Sequence, residues 1–368
     1  MDAQPRLVGT SAAAPGLDAR RLGRAQRAFT TRNVLTLADP LSSPWSLATG
    51  VPPREGDLVL ARVTEIGQHQ RLERPDGRRA CLFPGDEIVV AYGARYAPDQ
   101  FLAEVPADLG PCHLAAAGGV AGRVVAAHAD MDDPTCLEPV GLLADEAGAV
   151  VSLHDHAPVG GAELPGDLPP LILVAGTAMN AGKTTAAAHL VRGLTRSGFV
   201  VGAAKVTGTG AGGDLWLMRD AGAAAVLDFT DAGWVTTAGI GTDAARRVLG
   251  GIARHLADRG CDALVVEVAD GLAQAETAGL LRDRTVRAAA RGVLFAAGDA
   301  LGASAGVSWL REAGHHVLAV SGRLTAAPLA QAEADATLDV PVVCSFDLAE
   351  PTVAASLLQV VQPAGLAS

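Results

Sequence analysis

Lysine is nearly absent from this chain of 368 residues. Of its 29 basic residues only Lys183 and Lys205 are lysine. In a composition so biased towards arginine, a retained lysine marks a position where a planar fork cannot replace a compact ammonium. Other scarcities exclude whole classes. No apolar stretch reaches the roughly 18–20 residues of a membrane span, so no membrane partner is expected. No basic start followed by an apolar core opens the chain, so the expected location is the cytoplasm. No run of basic residues exceeds two and the net charge is −11, which argues against nucleic acid as a partner. The five cysteines are far apart and form no CxxC pair, as expected of reduced thiols. The densest histidine cluster, His154-Asp155-His156, precedes a Pro/Gly-rich stretch and reads as a solvated loop.

What is present is a globular composition, 49% apolar and 19% charged, with length for about two domains. Residues 1–34 read as an accessory segment with a short helix near Leu17–Arg27. Residues 35–157 hold short β runs (Asp57–Val63, Arg79–Phe83, Glu87–Ala91, Gly122–Ala127) separated by turns such as Pro75-Asp76-Gly77. That pattern predicts a small all-β, barrel-like domain. Residues 158–170 have four prolines and three glycines, a linker composition. Residues 171–368 alternate apolar strands and helical stretches, which predicts an α/β, doubly wound, mostly parallel sheet. Strands are expected at Leu171–Ala175, Phe199–Ala204, Ala263–Val268, Val293–Ala297, His316–Val320 and Val340–Cys344. One helix is expected near Thr277–Ala290.

The strand Leu171–Ala175 runs into Gly176-Thr177-Ala178-Met179-Asn180-Ala181-Gly182-Lys183-Thr184-Thr185 and then a helix. Strand, glycine turn and helix N-terminus are the context of a phosphate-binding P-loop, where backbone N–H groups and the helix dipole attract an anion. Gly176, Thr177, Asn180, Ala181, Gly182, Lys183, Thr184 and Thr185 would cradle the phosphates of ATP or GTP. Lys183 would reach the β/γ-phosphates and the Thr184 hydroxyl would ligate Mg²⁺. Five residues, not the usual four, separate Gly176 from Gly182-Lys183. Lys205, Asp214 and Glu267 complete the set that phosphoryl chemistry needs, namely a second cation and carboxylates for Mg²⁺. A helix N-cap would account for Asp214 equally.

The five-residue spacing resembles dethiobiotin synthetase and its P-loop relatives. In Gly202-Ala203-Ala204-Lys205-Val206 the resemblance implies a lysine contacting the reacting phosphate. The stretch Gly213-Asp214-Leu215-Trp216-Leu217-Met218-Arg219-Asp220-Ala221-Gly222-Ala223 is similar, with looser spacing, to a segment of MobB-type proteins. It implies that Asp214 lies beside Mg²⁺. In Leu264-Val265-Val266-Glu267 it implies that Glu267 is the Mg²⁺ carboxylate. The resemblance covers residues 170–350 only. After the strand ending at Val320, Ser321 and Gly322, with Arg323, stand where such relatives place nucleobase contacts.

Three functions remain open. The first is a small-molecule kinase that moves the γ-phosphoryl of ATP or GTP to the hydroxyl of a nucleoside- or sugar-like acceptor. Asp270 or Glu276 would then be the base. The second is a ligase of the dethiobiotin synthetase kind, but the Gly-Gly expected after Glu267 is missing. The third is a nucleotide-gated binding or regulatory protein. Arg219, Glu276, Arg95 and Tyr96 are candidate substrate contacts, and a homodimer is the expected assembly.

Overall fold

The computed structural model describes residues 19–35 and 45–359. The start of the helix expected at Leu17 lies outside them. The chain divides into two compact units. The first holds residues up to Pro158 together with Thr209–Gly213 and Phe229–Ala238, and the second holds the rest.

Among its described residues the first unit has helix α1 (Ala19–Arg24) and eleven strands. These are β1 (Gln26–Arg27), β2 (Ser46–Ala48), β3 (Leu58–Glu65), β4 (Arg71–Glu73), β5 (Arg79–Cys81) and β6 (Glu87–Tyr92). Then follow β7 (Arg95–Tyr96), β8 (Phe101–Glu104), β9 (Cys112–Ala116), β10 (Val120–Ala127) and β11 (Cys136–Ala144). Strands β6, β3, β11, β9 and β10 pair in that order, and β10 pairs with β6 again. The ladder therefore closes into a ring of five strands, which removes the exposed edges of an open sheet. The sequence explains why both faces are covered. Side chains alternate along a strand, and here both alternating sets are apolar. Val59, Ala61, Ile88, Val90 and Tyr92 enter one core. Leu58, Leu60, Val89 and Ala91 enter a second, with Leu22 of α1. The described part of the segment set apart at 1–34 is thus built into this unit, and β1 pairs with β6.

The second unit holds a six-stranded sheet of β12 (Leu171–Gly176), β13 (Val201–Lys205), β14 (Ala225–Asp228), β15 (Ala263–Glu267), β16 (Ala290–Ala296) and β17 (Val317–Ser321). Its order is β14-β13-β15-β12-β16-β17 and every pair is parallel. The strands are mostly apolar, β12 and β15 nearly throughout, as burial on both faces demands. The helices are α2 (Lys183–Arg196), α3 (Gly213–Asp220), α4 (Thr242–Asp258), α5 (Ala275–Arg282), α6 (Arg284–Ala289), α7 (Ala300–Glu312), α8 (Pro328–Thr337) and α9 (Pro351–Gln359). The chain leaves β12 for one side of the sheet and later returns to the other. Ligands of such sheets lie at that reversal, beyond the carboxyl ends of the strands.

Three local features differ from the sequence reading. The helix expected at 277–290 is two helices, because the Asp283 carboxylate caps a new start by accepting from the N–H groups of Thr285 and Val286 at 2.7 and 3.2 Å. The strand expected at 340–344 contributes one bridge, Val320 to Val342. Pro341 has no N–H with which to continue a ladder. The proline-rich segment 159–170 is packed rather than free. Ala162 N–H donates to the Arg247 carbonyl at 3.0 Å, and Glu163 pairs with Arg246. A Cβ on Gly250 or Gly251 of α4 would collide with the carbonyls of Ala162 and Gly160. Among the described residues no helix is long and apolar enough to cross a membrane.

Candidate functional site

The site forms where β12, β13 and β15 end. Gly176 closes β12, and a Cβ there would press on the Ala296 carbonyl oxygen and on the Lys183 side chain. Thr177 N–H donates to that Ala296 carbonyl at 3.0 Å. Asn180 and Gly182 take positive φ, 58° and 99°. Left-handed residues of this kind turn successive N–H groups inward, and α2 begins at Lys183 directly after them. Ala181 accepts from Arg323 N–H at 2.9 Å. Lys183 is 5% exposed, and its Nζ donates to the Ala178 carbonyl at 2.8 Å, so the ammonium lies over the loop.

Strand register brings the other charged groups together. Lys205 on β13 lies directly beside Glu267 on β15. Lys205 Nζ is bonded to Asp214 in the first turn of α3 and lies 3.9 Å from Glu267 Oε1. Thr184 Oγ1 donates to the same Glu267 oxygen at 3.2 Å. A cavity of about 410 Å³ is lined by Asn180, Lys183, Lys205, Asp214, Glu267 and Asp270, among others. A larger cavity, about 650 Å³, lies where β12 and β16 begin, between Leu171 and Arg291, and holds none of these groups.

Burial and pairing set the charges. Burial lowers the Lys183 pKa below the ordinary lysine value, against the pull of Glu267 and Asp270. Burial also opposes the charge on Lys205, but Asp214 and Glu267 outweigh it and keep the ammonium firmly protonated. Asp214 is half-buried, which opposes its charge, and Lys205 nevertheless holds it below the usual carboxylate range. Burial pushes the Glu267 carboxyl up to about 7, against Lys205.

The donor set fits Mg²⁺. Glu267 Oε2 is buried and has no hydrogen-bond partner. A bare buried carboxylate oxygen is costly, and a hard divalent cation is a group that satisfies it. Thr184, Asp214 and Glu267 are the residues that would hold it. No group of three or more His, Cys, Asp or Glu among the described residues could hold a metal. Mg²⁺ commonly takes one or two carboxylates and completes its shell with phosphate and water.

Other expected contacts resolve differently. Ser321 is fully buried and its hydroxyl pairs with Ser345 Oγ at 3.0 Å, so it does not face a nucleobase. Gly322 N–H points to the same Ser345 oxygen, while Arg323 is among the residues lining the cavity. Glu276 is buried and accepts from Gly239 N–H at 2.8 Å. Arg219 lies over the Trp216 ring at 5.3 Å and is not among the residues lining the cavity. Arg95 belongs to the first unit, where it is buried and bonded to the Ala115 carbonyl and to Gln100 Oε1. Tyr96 is 45% exposed there. The sequence reading missed Thr207, fully buried, which accepts from Ala269 N–H at 2.8 Å. It also missed Gln274, which accepts from Asp270 N–H at 2.9 Å. Together these two fix the loop that carries Asp270. Thr207 stands two residues after the end of β13, and Gln274 directly precedes α5.

No protein-family model matches the chain, and the search of curated proteins returned no match. Solved structures do show likeness. The signal recognition particle receptor FtsY from Elizabethkingia anophelis in complex with GDP has a TM-score of 0.37 at 16% identity, over 57% of this chain and 70% of that one. Chloroplast FtsY from Physcomitrella patens gives 0.36 at 18%, over 54% and 66%. The signal recognition particle 54 kDa protein from Aeropyrum pernix K1 in complex with GDP gives 0.34 at 19%, over 53% and 47%. At these values they do not assign the chain to a family. The dethiobiotin synthetase and MobB-type resemblance finds no support among them. The kinase expectation is corrected by the site itself. Glu276, one of the two carboxylates offered as the kinase base, is committed to the Gly239 N–H.

Proposed function

We propose that the second unit binds a magnesium-bound nucleoside triphosphate at Gly176–Thr185 and hydrolyses it slowly, with the nucleotide state acting as a gate on binding. The observation that carries this reading is the convergence at one strand-end cavity of Lys183, the Thr184–Glu267 pair with its unpartnered Oε2, and the Lys205–Asp214 pair.

Each residue has a role that its geometry supports. The loop N–H groups and Lys183 bind the phosphate oxygens and spread the charge that develops on them. Thr184 and Glu267, with Asp214 beside them, would hold Mg²⁺, which supplies charge neutralisation at the phosphates. Lys205 holds Asp214 in place and adds positive charge to the cavity wall. Asp270 faces the same cavity on a loop fixed by Thr207 and Gln274, and it orients a water and takes its proton. Gating rather than transfer is supported by the path of the chain. The segments 209–213 and 229–238, which follow β13 and β14, are counted with the β unit.

The test is phosphate release from GTP and from ATP, each with Mg²⁺ and without any acceptor, in the full chain and in Lys183→Ala. GDP is the nucleotide in two of the similar structures, so both bases are run in parallel. Slow acceptor-independent turnover, lost in Lys183→Ala, is expected. Turnover that starts only when a hydroxyl acceptor is added would overturn the gating reading, and absence of binding for both nucleotides would overturn it entirely.

A further inference from the structure

We infer that Glu73, on β4 of the β unit, is a positioning residue for Asp214, because its carboxylate holds the backbone from which α3 begins. This rests on the nucleotide reading for its functional half and on geometry for the rest. Glu73 Oε2 accepts from Gly212 N–H at 2.7 Å in a buried bond. Its other oxygen accepts from Arg79 Nε at 3.1 Å and pairs with Arg79 Nη2 at 2.9 Å. Arg79 is the residue directly opposite on β5. The Glu73 backbone is itself tied, since its N–H donates to the Ala117 carbonyl at 2.8 Å.

The segment 209–213 is pinned at two further points within the same unit. Gly210 N–H donates to the Val235 carbonyl at 2.9 Å. Gly118 approaches the Gly210 carbonyl so closely that a Cβ would collide with it. The last residue of this segment, Gly213, starts α3, and Asp214 follows it directly in the chain. Asp214 in turn holds Lys205. A carboxylate far from the cradle in sequence thus holds the backbone N–H that leads into the first turn of α3. A bond from N–H to an ionised carboxylate is of the stronger, charge-assisted kind. Loss of Glu73 should loosen that turn and weaken Mg²⁺ retention, while the loop and Lys183 still hold phosphate.

The experiment compares wild type, Glu73→Ala, Glu73→Gln and Arg79→Ala. Hydrogen exchange on the ligand-free chain reads positioning without reference to nucleotide. Amides of 212–216 should exchange about tenfold faster in Glu73→Ala, the scale of one lost hydrogen bond to a charged group. Glu73→Gln, which keeps an acceptor oxygen, and Arg79→Ala, which keeps the Gly212 bond, should stay near wild type. Unchanged exchange in Glu73→Ala, or an equal rise in Arg79→Ala, overturns the positioning role. Titration of a fluorescent GTP analogue then reads function. The Mg²⁺ concentration for half-maximal binding should rise about tenfold in Glu73→Ala, with Mg²⁺-free affinity within about twofold of wild type. Equal Mg²⁺ dependence overturns the functional half, as does an equal loss of Mg²⁺-free affinity, which would mark a folding defect. If wild type binds no nucleotide, the proposed function fails and the functional half with it, while the exchange result still decides the positioning role.

Discussion

Replacing Lys205 with methionine keeps the bulk of the side chain and removes the cation between two carboxylates. Lys205 Nζ lies 3.9 Å from Glu267 Oε1 and is bonded to Asp214. At about 4 Å and an effective dielectric of about 20, each such attraction is worth about 4 kcal/mol before desolvation. Removing one partner of a fully buried pair costs about 3–5 kcal/mol. The Asp214 side chain is 29% exposed, so about 2 kcal/mol is the expected loss at pH 6, where Glu267 carries a proton in both proteins. The pH dependence is the sharper signature. In wild type the Glu267 carboxyl keeps its proton to about pH 7, against 4.5 for an ordinary glutamate. The folded state therefore binds more protons than the unfolded state across that window, and the stability contributed by this group falls as pH rises through it and levels off above. Without Lys205 the folded value rises further and the fall continues above pH 7, at up to about 1.4 kcal/mol per unit. Between pH 6 and pH 8.5 the deficit of Lys205→Met should thus grow by about 2 kcal/mol. Hydrogen exchange of the Ala263–Glu267 amides in Mg²⁺-free buffer reads this for the second unit alone. A deficit that is absent, or equal at both pH values, would refute the reasoning.

Gly322 has φ 99°, and a Cβ there would collide with the Ala181 carbonyl; Gly322→Ala should cost about 2 kcal/mol in denaturant unfolding and weaken nucleotide binding. Burial, with Arg95 nearby, lowers His69 to about 4 from 6.5. Its neutral ring therefore stabilises the fold above pH 6.5, and on the order of 2–3 kcal/mol is lost as pH falls through 6.5 towards 4. The difference between wild type and His69→Gln in melting temperature across that window reads it. Asp283→Ala removes the cap of α6 and should cost about 1 kcal/mol in urea unfolding.

Much of the second unit was legible from the sequence because its signals are local. Glycines, a lysine and a helix start are adjacent in Gly176–Thr185, and apolar runs mark the central strands. The short strand Ala225–Asp228 was missed because its four residues make too brief an apolar run. The break at Asp283 depends on a side chain turning back to two backbone N–H groups, a choice that helical spacing does not encode. In the site, Lys205 and Glu267 were legible because both end apolar strands, where a charge needs a partner. Ser321 was misread because its neighbour Ser345 is distant in sequence. Glu73 carried no signal at all. Its importance arises only when the chain from 209 to 213 folds back beside β4. The closure of the β ring likewise depends on β10 meeting β6, a pairing that alternation alone does not specify.

The most direct test of the central claim is calorimetric titration of the full chain with GTP and with ATP, in Mg²⁺ and in chelator, beside Lys183→Ala and Glu267→Gln. Saturable binding of at least one nucleotide, tightened by Mg²⁺, is expected in wild type. No binding is expected in Lys183→Ala, and binding in Glu267→Gln should no longer respond to Mg²⁺. Binding that survives Lys183→Ala unchanged, or that is the same with and without Mg²⁺ in wild type, would contradict the claim.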